Sequence, residues 1–363
     1  GRAPTAYSPI SPSARRNGCV PVEAGALHMT QVDRYAVMGN PIAHSKSPQI
    51  HRLFAQQTGQ SLSYQAILVE KHRFAEAVAE FLTAGGKDLN VTVPFKQEAW
   101  QIADQLSSRA QRAGAVNTLM LREPGSLFGD NTDSVGLVRD LTANLAVELS
   151  GKRLLLLGAG GAARGVLGPL LEQQPTHLVI ANRTAERAEQ LSDLFSDIGA
   201  LTGCGFAALG GEAFDVVINA TAAGLRGEVP DLPEGIIGPQ TCCYDMMYGS
   251  APTAFMRYAQ QRGARRAFDG LGMLVEQAAE SFRIWRGVRP ETAPVLLDPG
   301  EPLKLRVFVD RSVVEVFVNG KQCLAVRVYP GCAESSGVSL RAQGQDAVLR
   351  SLDAWEMQSI YVD

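Results

Sequence analysis

The stretch "KRLLLLGAGGAARGVLGPLL", residues 152–171, contains the pattern that decides the fold class. A run of leucines typical of a buried strand is followed directly by glycines and then by an apolar segment typical of a helix. Within it, Gly158, Gly160 and Ala163 match the form G-x-G-x-x-G/A. Glycines there let the backbone approach a pyrophosphate, whose charge faces the free N–H groups at the helix start. The stretch therefore predicts a dinucleotide site; a glycine turn that only tightens strand–helix packing is the alternative.

The next predicted strand, "HLVIANR", carries the residues that select the dinucleotide. A site for NAD usually ends this strand with Asp or Glu, which accepts hydrogen bonds from the ribose hydroxyls. Here Asn182 stands at the end of the strand, and Arg183 and Arg187 follow it. Guanidinium groups suit bidentate contacts with a 2′-phosphate. The sequence therefore predicts NADP, with solvated arginines at a helix start as the alternative.

Strand and helix patterns also alternate upstream of this stretch. Buried strands are predicted at "RYAVMG", "SYQAILV" and "DLNVTV", and helices at "SPQIHRLFAQQTG" and "HRFAEAVAEFLTAGG". Ser47 as the cap and Pro48 as the first helical residue explain the start of the first helix. A hairpin around Pro124-Gly125 and a helix at "VGLVRDLTANL" follow. This alternation favours an α/β fold, a mostly parallel sheet covered by helices.

The pattern changes toward the C-terminus. After strands at "FDVVINAT" and "CCYDMMY", one more helix is predicted from apolar residues at helical spacing, namely Leu271, Leu274, Val275, Ala278, Phe282 and Trp285. Past Pro294, runs of period two replace the helices, and Asn319-Gly320 has the composition of a hairpin turn. The sequence therefore predicts an extra all-β segment after the α/β part.

Composition limits the classes of function. The chain has 363 residues, is 45% hydrophobic and carries a formal charge of −3, so it offers no long-range attraction for nucleic acid or an anionic membrane. The six cysteines form no C-x-x-C pair and the five histidines no H-E-x-x-H, so no metal site is expected. We expect a soluble, cytoplasmic protein. Residues 1–32, rich in Pro, Ser, Ala and Arg, are expected to be a disordered tail, vector-derived sequence or a transit peptide.

Lys96, in "NVTVPFKQE" at residues 90–98, is the candidate proton donor. A reductase that acts on a ketone must protonate the alkoxide as hydride arrives, and a lysine held by a carboxylate can do this. Asp133 in "GDNTD" is the candidate carboxylate. Small polar groups would then hold a hydroxylated or carboxylate substrate: Ser45, Ser47, Asn90, Thr92 and Asn117. Each of these residues taken singly is also explained as a cap, a strand end or a solvated charge.

Nine ordered motifs give the chain a specific resemblance. "YAVMGNPIAHSKSPQIH", "NVTVPFK", "AGAVNT", "GDNTD", "GAGGAARG", "ANRT", "INAT", "YDMMY" and "DGLGMLVEQAA" resemble those of shikimate dehydrogenases over about residues 33–295. The resemblance implies NADP-dependent interconversion of 3-dehydroshikimate and shikimate, with Lys96 and Asp133 as the catalytic pair. An NAD-dependent quinate/shikimate dehydrogenase is the rival, against which Arg183 and Arg187 argue.

The resemblance also implies site residues and an organisation of the chain. It implies a substrate site lined by Ser45, Ser47, Asn90, Thr92, Asn117, Tyr248 and Gln277, and a cofactor site lined by Gly158, Ala159, Gly160, Gly161, Ala162, Asn182, Arg183, Thr184, Arg187, Met246 and Gly270. The substrate domain would comprise residues 33–133 and 270–295, and a Rossmann-like NADP domain residues 134–269. The expected partner is a small-molecule substrate, and the protein is expected to be a monomer or homodimer.

Two positions depart from the family pattern. Ser134 follows Asp133 where the family usually has glycine, and Ala222 and Ala223 stand where small hydroxyl residues are common. If residue 134 needed a positive φ, any side chain would strain the turn. We therefore expect Ser134 to affect the level of activity.

The last segment, residues 296–363, resembles a different family. "LRVFVDRSVVEVFVNGKQCLAVRVYP" is similar to the end of the β-sandwich of plant acid invertases and fructosyltransferases. Those enzymes carry their paired carboxylates on a separate propeller domain, whose motifs do not occur here. We expect a chimeric join near Val295–Leu297. A carbohydrate-binding β-module, or an inactive chimera, is the alternative function of another class.

Overall fold

The computed structural model describes residues 32–122, 125–211, 213–221, 223, 227–249, 251–292, 305–310, 313–318 and 322–327. The chain divides into two units, Gly1–Val32 and Asp33–Asp363. The interpretations of residues 1–32 as tail, vector sequence or transit peptide fall outside the described residues, apart from Val32. The α/β architecture described below belongs to the second unit.

The first sheet contains six strands and carries four helices among the described residues. Its strands are β1 (Asp33–Gly39), β2 (Leu62–Leu68), β3 (Gly86–Val91), β4 (Gln105–Leu106), β5 (Thr118–Arg122) and β6 (Ser126–Asp130), and its helices are α1 (Ser47–Thr58), α2 (Phe74–Thr83), α3 (Lys96–Ile102) and α4 (Ser108–Ala113). The strand order is β2-β1-β3-β5-β6-β4. β5 runs antiparallel to both β3 and β6, as the predicted hairpin requires, and the remaining pairs are parallel.

Proline and glycine explain the two ends of helix α1, but the predicted cap at Ser47 is wrong. Helix α1 has Pro48 in its first turn and ends at Gly59, whose φ of 64° suits glycine. Ser47 is not the cap, because the helix begins at Ser47 and no side chain caps it. Instead, Ser45 Oγ accepts a hydrogen bond from the Ser47 N–H at 3.3 Å. The short elements β4, α3 and α4 were not predicted, since so few residues show no clear period.

The second sheet is entirely parallel, with strand order β12-β11-β10-β7-β8-β9. Its strands are β7 (Arg153–Leu157), β8 (His177–Asn182), β9 (Leu201–Gly205), β10 (Val216–Asn219), β11 (Cys242–Asp245) and β12 (Arg266–Phe268). The helices of this part are α5 (Asp133–Arg139), continued by a π-helical turn (Asp140–Asn144), α6 (Gly161–Glu172), α7 (Ala185–Leu194), α8 (Ala254–Gln261) and α9 (Leu271–Arg286), with a 3₁₀ turn at Phe206–Ala208.

The leucine run of β7 is buried on both faces of this sheet. Leu154 and Leu156 pack in the core on one face, and Leu155 and Leu157 pack in the core on the other. A central parallel strand needs apolar residues on both sides, which explains why the run does not alternate with polar residues. Full burial of each leucine side chain contributes about 1.5–3 kcal/mol. The strand that leads into the glycine turn is therefore held rigidly.

Helix α9 returns from the second sheet and packs on α1 and α5. Phe282 meets Phe54 of α1 edge-to-face, with ring centroids 5.9 Å apart. Gly136 of α5 lies so close to α9 that a Cβ there would be 2.7 Å from the Met273 carbonyl oxygen and 2.8 Å from the Gln277 nitrogen. Glycine is therefore required at this crossing, which brings Gln277 to the start of α5.

The described part of the C-terminal segment is a three-stranded antiparallel sheet. Its strands are β13 (Leu305–Asp310), β14 (Val313–Val318) and β15 (Gln322–Arg327), in the order β13-β14-β15. The turn predicted at Asn319-Gly320 lies outside the described residues, between the two strands that it would join. The domain boundaries given above remain predictions.

Candidate active site

The structure brings the predicted pair Lys96 and Asp133 into direct contact. Lys96 Nζ donates a hydrogen bond to Asp133 Oδ2 at 2.6 Å, and the side chains are 30% and 19% exposed. Strand β3 ends at Val91, earlier than predicted, and Lys96 opens helix α3. Asp133 opens helix α5. The ammonium group of Lys96 is therefore held by the carboxylate and is still partly open to solvent.

Asn117 fixes the orientation of the Asp133 carboxylate. Its Oδ1 accepts the backbone N–H of Thr132 at 2.9 Å, so its Nδ2 must point the other way. That Nδ2 donates to Asp133 Oδ1 at 2.8 Å. Asn117 and Lys96 therefore occupy the two carboxylate oxygens, one each. Because a lysine has three donors, two N–H groups of Lys96 remain for other partners.

Gln277 reaches the same cluster from helix α9. Its Oε1 lies 3.3 Å from both Asn117 Nδ2 and Thr132 Oγ1. Its Nε2 donates to the Leu274 carbonyl at 2.9 Å, and the residue is 8% exposed. The expectation that α9 would bring Gln277 to the predicted substrate residues agrees with this geometry.

Asn90 is buried, and its amide is held at both ends. Its Oδ1 accepts the Tyr64 hydroxyl at 2.7 Å. Its Nδ2 has three acceptors within reach: the Asn117 carbonyl at 3.0 Å, Thr118 Oγ1 at 3.1 Å and Ser281 Oγ at 3.0 Å. Two amide hydrogens face three acceptors, so only a lone pair on Oδ1 is left for a substrate. The predicted substrate contact of Asn90 is restricted to that oxygen.

Ser45, Ser47 and Thr92 lie beyond the carboxyl ends of β1 and β3, the edge at which α/β proteins bind ligands. Ser47 is 6% exposed. Its hydroxyl interacts with that of Tyr64; burial raises the pKa of Tyr64 well above its usual value, and the Ser47 hydrogen bond opposes this in part. Thr92 is half-buried, and its N–H donates to the Met38 carbonyl at 2.9 Å. The Ser47 and Tyr64 hydroxyls therefore extend the polar cluster around Asn90.

Tyr248 is the predicted substrate residue that the first sheet does not hold. It follows β11 in the second sheet and is 36% exposed. Within the described residues, no hydrogen bond joins it to the cluster around Lys96. Its place in a substrate site remains a prediction.

Sequence reasoning missed four residues of this cluster: Tyr64, Thr118, Thr132 and Ser281. Two signals were available. Thr132 directly precedes Asp133, and Ser281 falls one helical turn after Gln277, on the buried face of α9. A hydroxyl on an otherwise apolar helix face indicates a specific hydrogen-bonding partner.

The glycine turn after β7 presents backbone rather than side chains. Gly158 has a φ of 106°, and a Cβ there would be 3.2 Å from the Ala220 carbonyl oxygen. A Cβ on Gly160 or Gly161 would meet nothing within 4 Å, so the surface there is open. Helix α6 begins at Gly161 and directs its free N–H groups toward that surface. The predicted cradle, which includes Ala159 and Ala162, fits a pyrophosphate.

The end of β8 fits the ribose phosphate of NADP. Asn182 Nδ2 donates to the Thr184 carbonyl at 2.9 Å, which shapes the turn into α7. Arg183 and Arg187 are exposed, and in the described part of the chain neither forms an ion pair. Two guanidinium groups are thus available to a phosphate, with the exposed Glu186 carboxylate between them in the sequence, in the first turn of α7.

Met246 and Gly270 meet beside the carboxyl ends of β10 and β11. The Met246 N–H donates to the Asn219 carbonyl at 2.9 Å. A Cβ on Gly270 would overlap the Met246 carbonyl, so the close approach needs glycine. Together they border the side of the second sheet on which the glycine turn lies, and their contact with a cofactor remains a prediction.

The expectation of backbone strain at Ser134 is wrong. Ser134 is the second residue of α5, and the non-glycine residues with positive φ in the described part are His72, Ala146 and Gln174. The serine has a different cost. Its hydroxyl is buried and has no hydrogen-bond partner among the described residues. Ala222, the other departure, lies outside the described residues, and Ala223 is half-buried.

No helix in the described residues is long and apolar enough to cross a membrane. In the same part of the chain, no group of three or more His, Cys, Asp or Glu residues could hold a metal ion.

Two family models match the α/β part of the chain, one in the region of the first sheet and one in the region of the second. A family model described as the shikimate dehydrogenase substrate binding domain matches residues 37–119, and one described as shikimate/quinate 5-dehydrogenase matches residues 140–226. A third, described as the C-terminal part of glycosyl hydrolases family 32, matches residues 276–356. The invertase-like resemblance of the tail is therefore confirmed. That match begins within α9, whose residues pack on α1 and α5.

Relatives cover almost the whole α/β part. The NADP(+) shikimate dehydrogenase of Alkalilimnicola ehrlichii is 61% identical over 264 residues, 73% of this chain and 97% of that protein. The Ael1 enzyme of Pseudomonas putida has a TM-score of 0.69 and 47% identity, over 72% of this chain and 95% of its own. The shikimate 5-dehydrogenase of Thermus thermophilus, crystallised with NADP(H) and shikimate, has a TM-score of 0.63 and 33% identity, over 72% and 96%.

A dinucleotide cradle on one sheet and a lysine–carboxylate pair on its neighbour define an NADP-dependent oxidoreductase of the α/β class. Within that class, the chain belongs to the shikimate dehydrogenase family.

Proposed function

We propose that this chain catalyses the reversible NADPH-dependent reduction of 3-dehydroshikimate to shikimate. The observation that carries the proposal is the contact between Lys96 and Asp133, at 2.6 Å, in a chain 61% identical to a shikimate dehydrogenase (NADP(+)). Asn117 holds the second oxygen of that carboxylate at 2.8 Å. The pair is therefore oriented before substrate arrives, as preorganised catalysis requires.

In this proposal, Lys96 is the acid of the reduction. NADPH, when bound, supplies the hydride that reaches the carbonyl carbon. The Lys96 ammonium donates a proton to the carbonyl oxygen as negative charge develops there, and the neutral amine takes that proton back in the reverse direction. Asp133 stabilises the ammonium and restricts its position. Ser45, Ser47, Thr92 and Gln277 hold the hydroxyl and carboxylate groups of the substrate.

The cofactor side of the proposal rests on the glycine turn and the arginines. The open backbone at Gly160 and Gly161 receives the pyrophosphate at the start of α6. Arg183 and Arg187 receive the 2′-phosphate and so favour NADP over NAD. We propose that the protein binds a small-molecule substrate and no nucleic acid. We also propose that it is a cytoplasmic monomer or homodimer.

The test is formation of NADPH from NADP by the intact chain, with shikimate as the varied substrate. Parallel assays with NAD and with quinate separate the proposal from the quinate/shikimate rival. We expect shikimate with NADP to give the highest kcat/KM. Absence of shikimate-dependent NADPH formation would disprove the proposed activity, and a preference for NAD would favour the rival.

The C-terminal segment enters the proposal as an appendage without a catalytic role. The described strands of this segment, β13 to β15, form a sheet of their own, whereas the residues of the cluster around Lys96, including Gln277 and Ser281 of α9, lie in the α/β part. Truncation after Pro294 should leave the choice of substrate unchanged and the stability equal or higher. Binding of sucrose or fructan by a fragment without residues 33–295 would instead support the carbohydrate-binding alternative.

A further inference from the structure

One serine hydroxyl forms the junction between helix α9 and the first sheet. Ser281 is fully buried on α9. Its Oγ lies 3.0 Å from Asn90 Nδ2 on β3, 2.8 Å from Thr118 Oγ1 on β5 and 3.2 Å from Thr132 Oγ1 before α5. It also donates to the Gln277 carbonyl at 3.1 Å, one turn earlier on its own helix. A single atom therefore contacts three other parts of the cluster besides its own helix.

The hydrogen-bonding capacity of this hydroxyl is fully used. A serine has one hydrogen and two lone pairs. Ser281 accepts from the Asn90 amide, its hydrogen can be donated to the Gln277 carbonyl, and with the hydroxyls of Thr118 and Thr132 either oxygen can be the donor. Because Asn90 Nδ2 points at Ser281, Asn90 Oδ1 must point toward Tyr64, which donates to it at 2.7 Å. The Asn117 carbonyl, which can only accept, sets this orientation of the Asn90 amide, and the Ser281 hydroxyl supports it as a further acceptor on the same side.

Two of the residues that Ser281 contacts, Asn90 and Gln277, are predicted substrate residues. Asn90 keeps a lone pair on Oδ1 for a substrate, and that lone pair is correctly placed in only one orientation of the amide. Gln277 sits one turn before Ser281, so the depth at which α9 docks on the sheet sets its distance from Asn117. A buried polar group with every partner satisfied specifies one arrangement more strongly than apolar packing does.

We propose that Ser281 is a positioning residue for substrate binding, acting through the Asn90 amide and through Gln277 without touching the substrate. The proposal rests on the function proposed above. It places the effect of Ser281 in the binding of shikimate, apart from the binding of NADP and from the proton transfer by Lys96.

The variant Ser281→Ala tests it, with Ser192→Ala as the matched control. Ser192 is also a buried helical serine, but its Oγ donates only to the carbonyl of Glu189 on its own helix, far along the chain from the cluster. We expect Ser281→Ala to raise the KM for shikimate roughly three- to tenfold, the worth of one or two hydrogen bonds. The KM for NADP should stay within about twofold of the wild type. An unchanged shikimate KM, with a loss of Tm like that of the control, would overturn the proposal.

A double-mutant cycle with Asn90→Ala identifies the route of the effect. If Ser281 acts through Asn90, adding Ser281→Ala to Asn90→Ala should change the shikimate KM less than it does in the wild type. A full additional effect in that background would overturn the part assigned to Asn90. Should Ser281→Ala not fold, Ser281→Cys keeps the size and a weak donor, and it should show the same rise in shikimate KM. A folded Ser281→Cys with a wild-type KM would contradict the proposal.

Failure of this proposal is distinguishable from failure of the proposed function. Wild-type turnover of shikimate combined with an unchanged KM in Ser281→Ala disproves only the role of Ser281. A wild-type chain that does not oxidise shikimate with NADP disproves both.

Discussion

The two sides of the proposed site are built by opposite means. On the substrate side, Asn90 on β3, Asn117 before β5 and Ser281 on α9 are buried, and Asn90 Nδ2 donates to the Asn117 carbonyl and to Ser281 Oγ. On the second sheet, the glycine turn presents bare backbone, and Gly160 and Gly161 face open space. The substrate side is thus shaped before any ligand arrives, whereas the cofactor side offers a surface on which a phosphate supplies the missing acceptors. A small polyol needs the first kind of recognition and a pyrophosphate the second.

The strongest test of this contrast is removal of the amine from the substrate side. In Lys96→Ala, we expect kcat to fall about 10²- to 10⁴-fold, because general acid catalysis typically contributes that much. Affinity for NADP should remain, since Lys96 belongs to the other sheet. Steady-state kinetics and NADPH binding measure the two quantities. Lys71→Ala, at an exposed position, serves as the control. Near-normal turnover in Lys96→Ala would show that the acid assignment is wrong.

The buried character of the substrate side also predicts a pH dependence of stability. Burial lowers the pKa of His51 to about 3, from 6.5 in an unfolded chain. Because the folded pKa is depressed, the unfolded chain binds the proton first, and stability falls as pH decreases from 6.5 toward 3. The loss approaches about 1.4 kcal/mol for each pH unit within that window. Asp88 has the opposite effect on stability. Burial raises its pKa to about 6, so the folded protein binds the proton first and the contribution of Asp88 to stability rises as the pH falls through that value.

A variant of His51 separates its contribution to the pH dependence of stability from that of Asp88. His51 stacks on Tyr64 with ring centroids 4.2 Å apart, and phenylalanine can keep that stacking. In His51→Phe, the free energy of unfolding should decrease less between pH 7 and pH 4 than in the wild type, as judged by urea titrations. His177→Phe, at a half-buried position on β8, is the matched histidine control. Equal slopes in the wild type and His51→Phe would contradict the assignment.

A smaller effect is expected on the cofactor side. Removal of one guanidinium in Arg183→Ala or Arg187→Ala should raise the KM for NADP about tenfold, as for loss of a charge-assisted contact. The KM for shikimate should not change, and the KM for NAD should change little because NAD lacks the 2′-phosphate. Arg265→Ala, at an exposed position just before β12, is the control. A parallel rise for NAD and NADP would show that the arginines do not recognise the phosphate.

The smallest predicted effect concerns Ser134, whose hydroxyl is buried without a partner in the described residues. Replacement by alanine removes an unsatisfied polar group and improves helix propensity, so Ser134→Ala should be more stable by about 1 kcal/mol. Thermal unfolding should show a Tm a few degrees higher. A lower Tm would indicate that the hydroxyl has a partner after all.

Several features of the molecule could be predicted from the sequence because their signals are local. The glycine turn follows its strand directly, the hairpin of β5 and β6 has a turn between its strands, and α9 shows its apolar spacing. The pairing of Lys96 with Asp133 was predicted through chemical need and family resemblance.

The missed features depend on contacts between distant parts of the chain. Asn90 and Ser281 are 191 residues apart, so nothing near either residue indicates that they meet. Tyr64 has the sequence appearance of an ordinary strand residue, yet its hydroxyl donates to Asn90 Oδ1. The strain expected at Ser134 was wrong because the residue is helical, and the boundaries of the domains remain predictions.

The return of α9 to the first sheet has a consequence for synthesis of the protein. Thr132 and Ser281 meet although 149 residues separate them. On the ribosome, a chain that has emerged as far as Asp133 still lacks the helix that covers Asn90 and Thr118. The whole parallel sheet of the cofactor side must be made before that helix appears. The part of the enzyme that is translated first is therefore completed last.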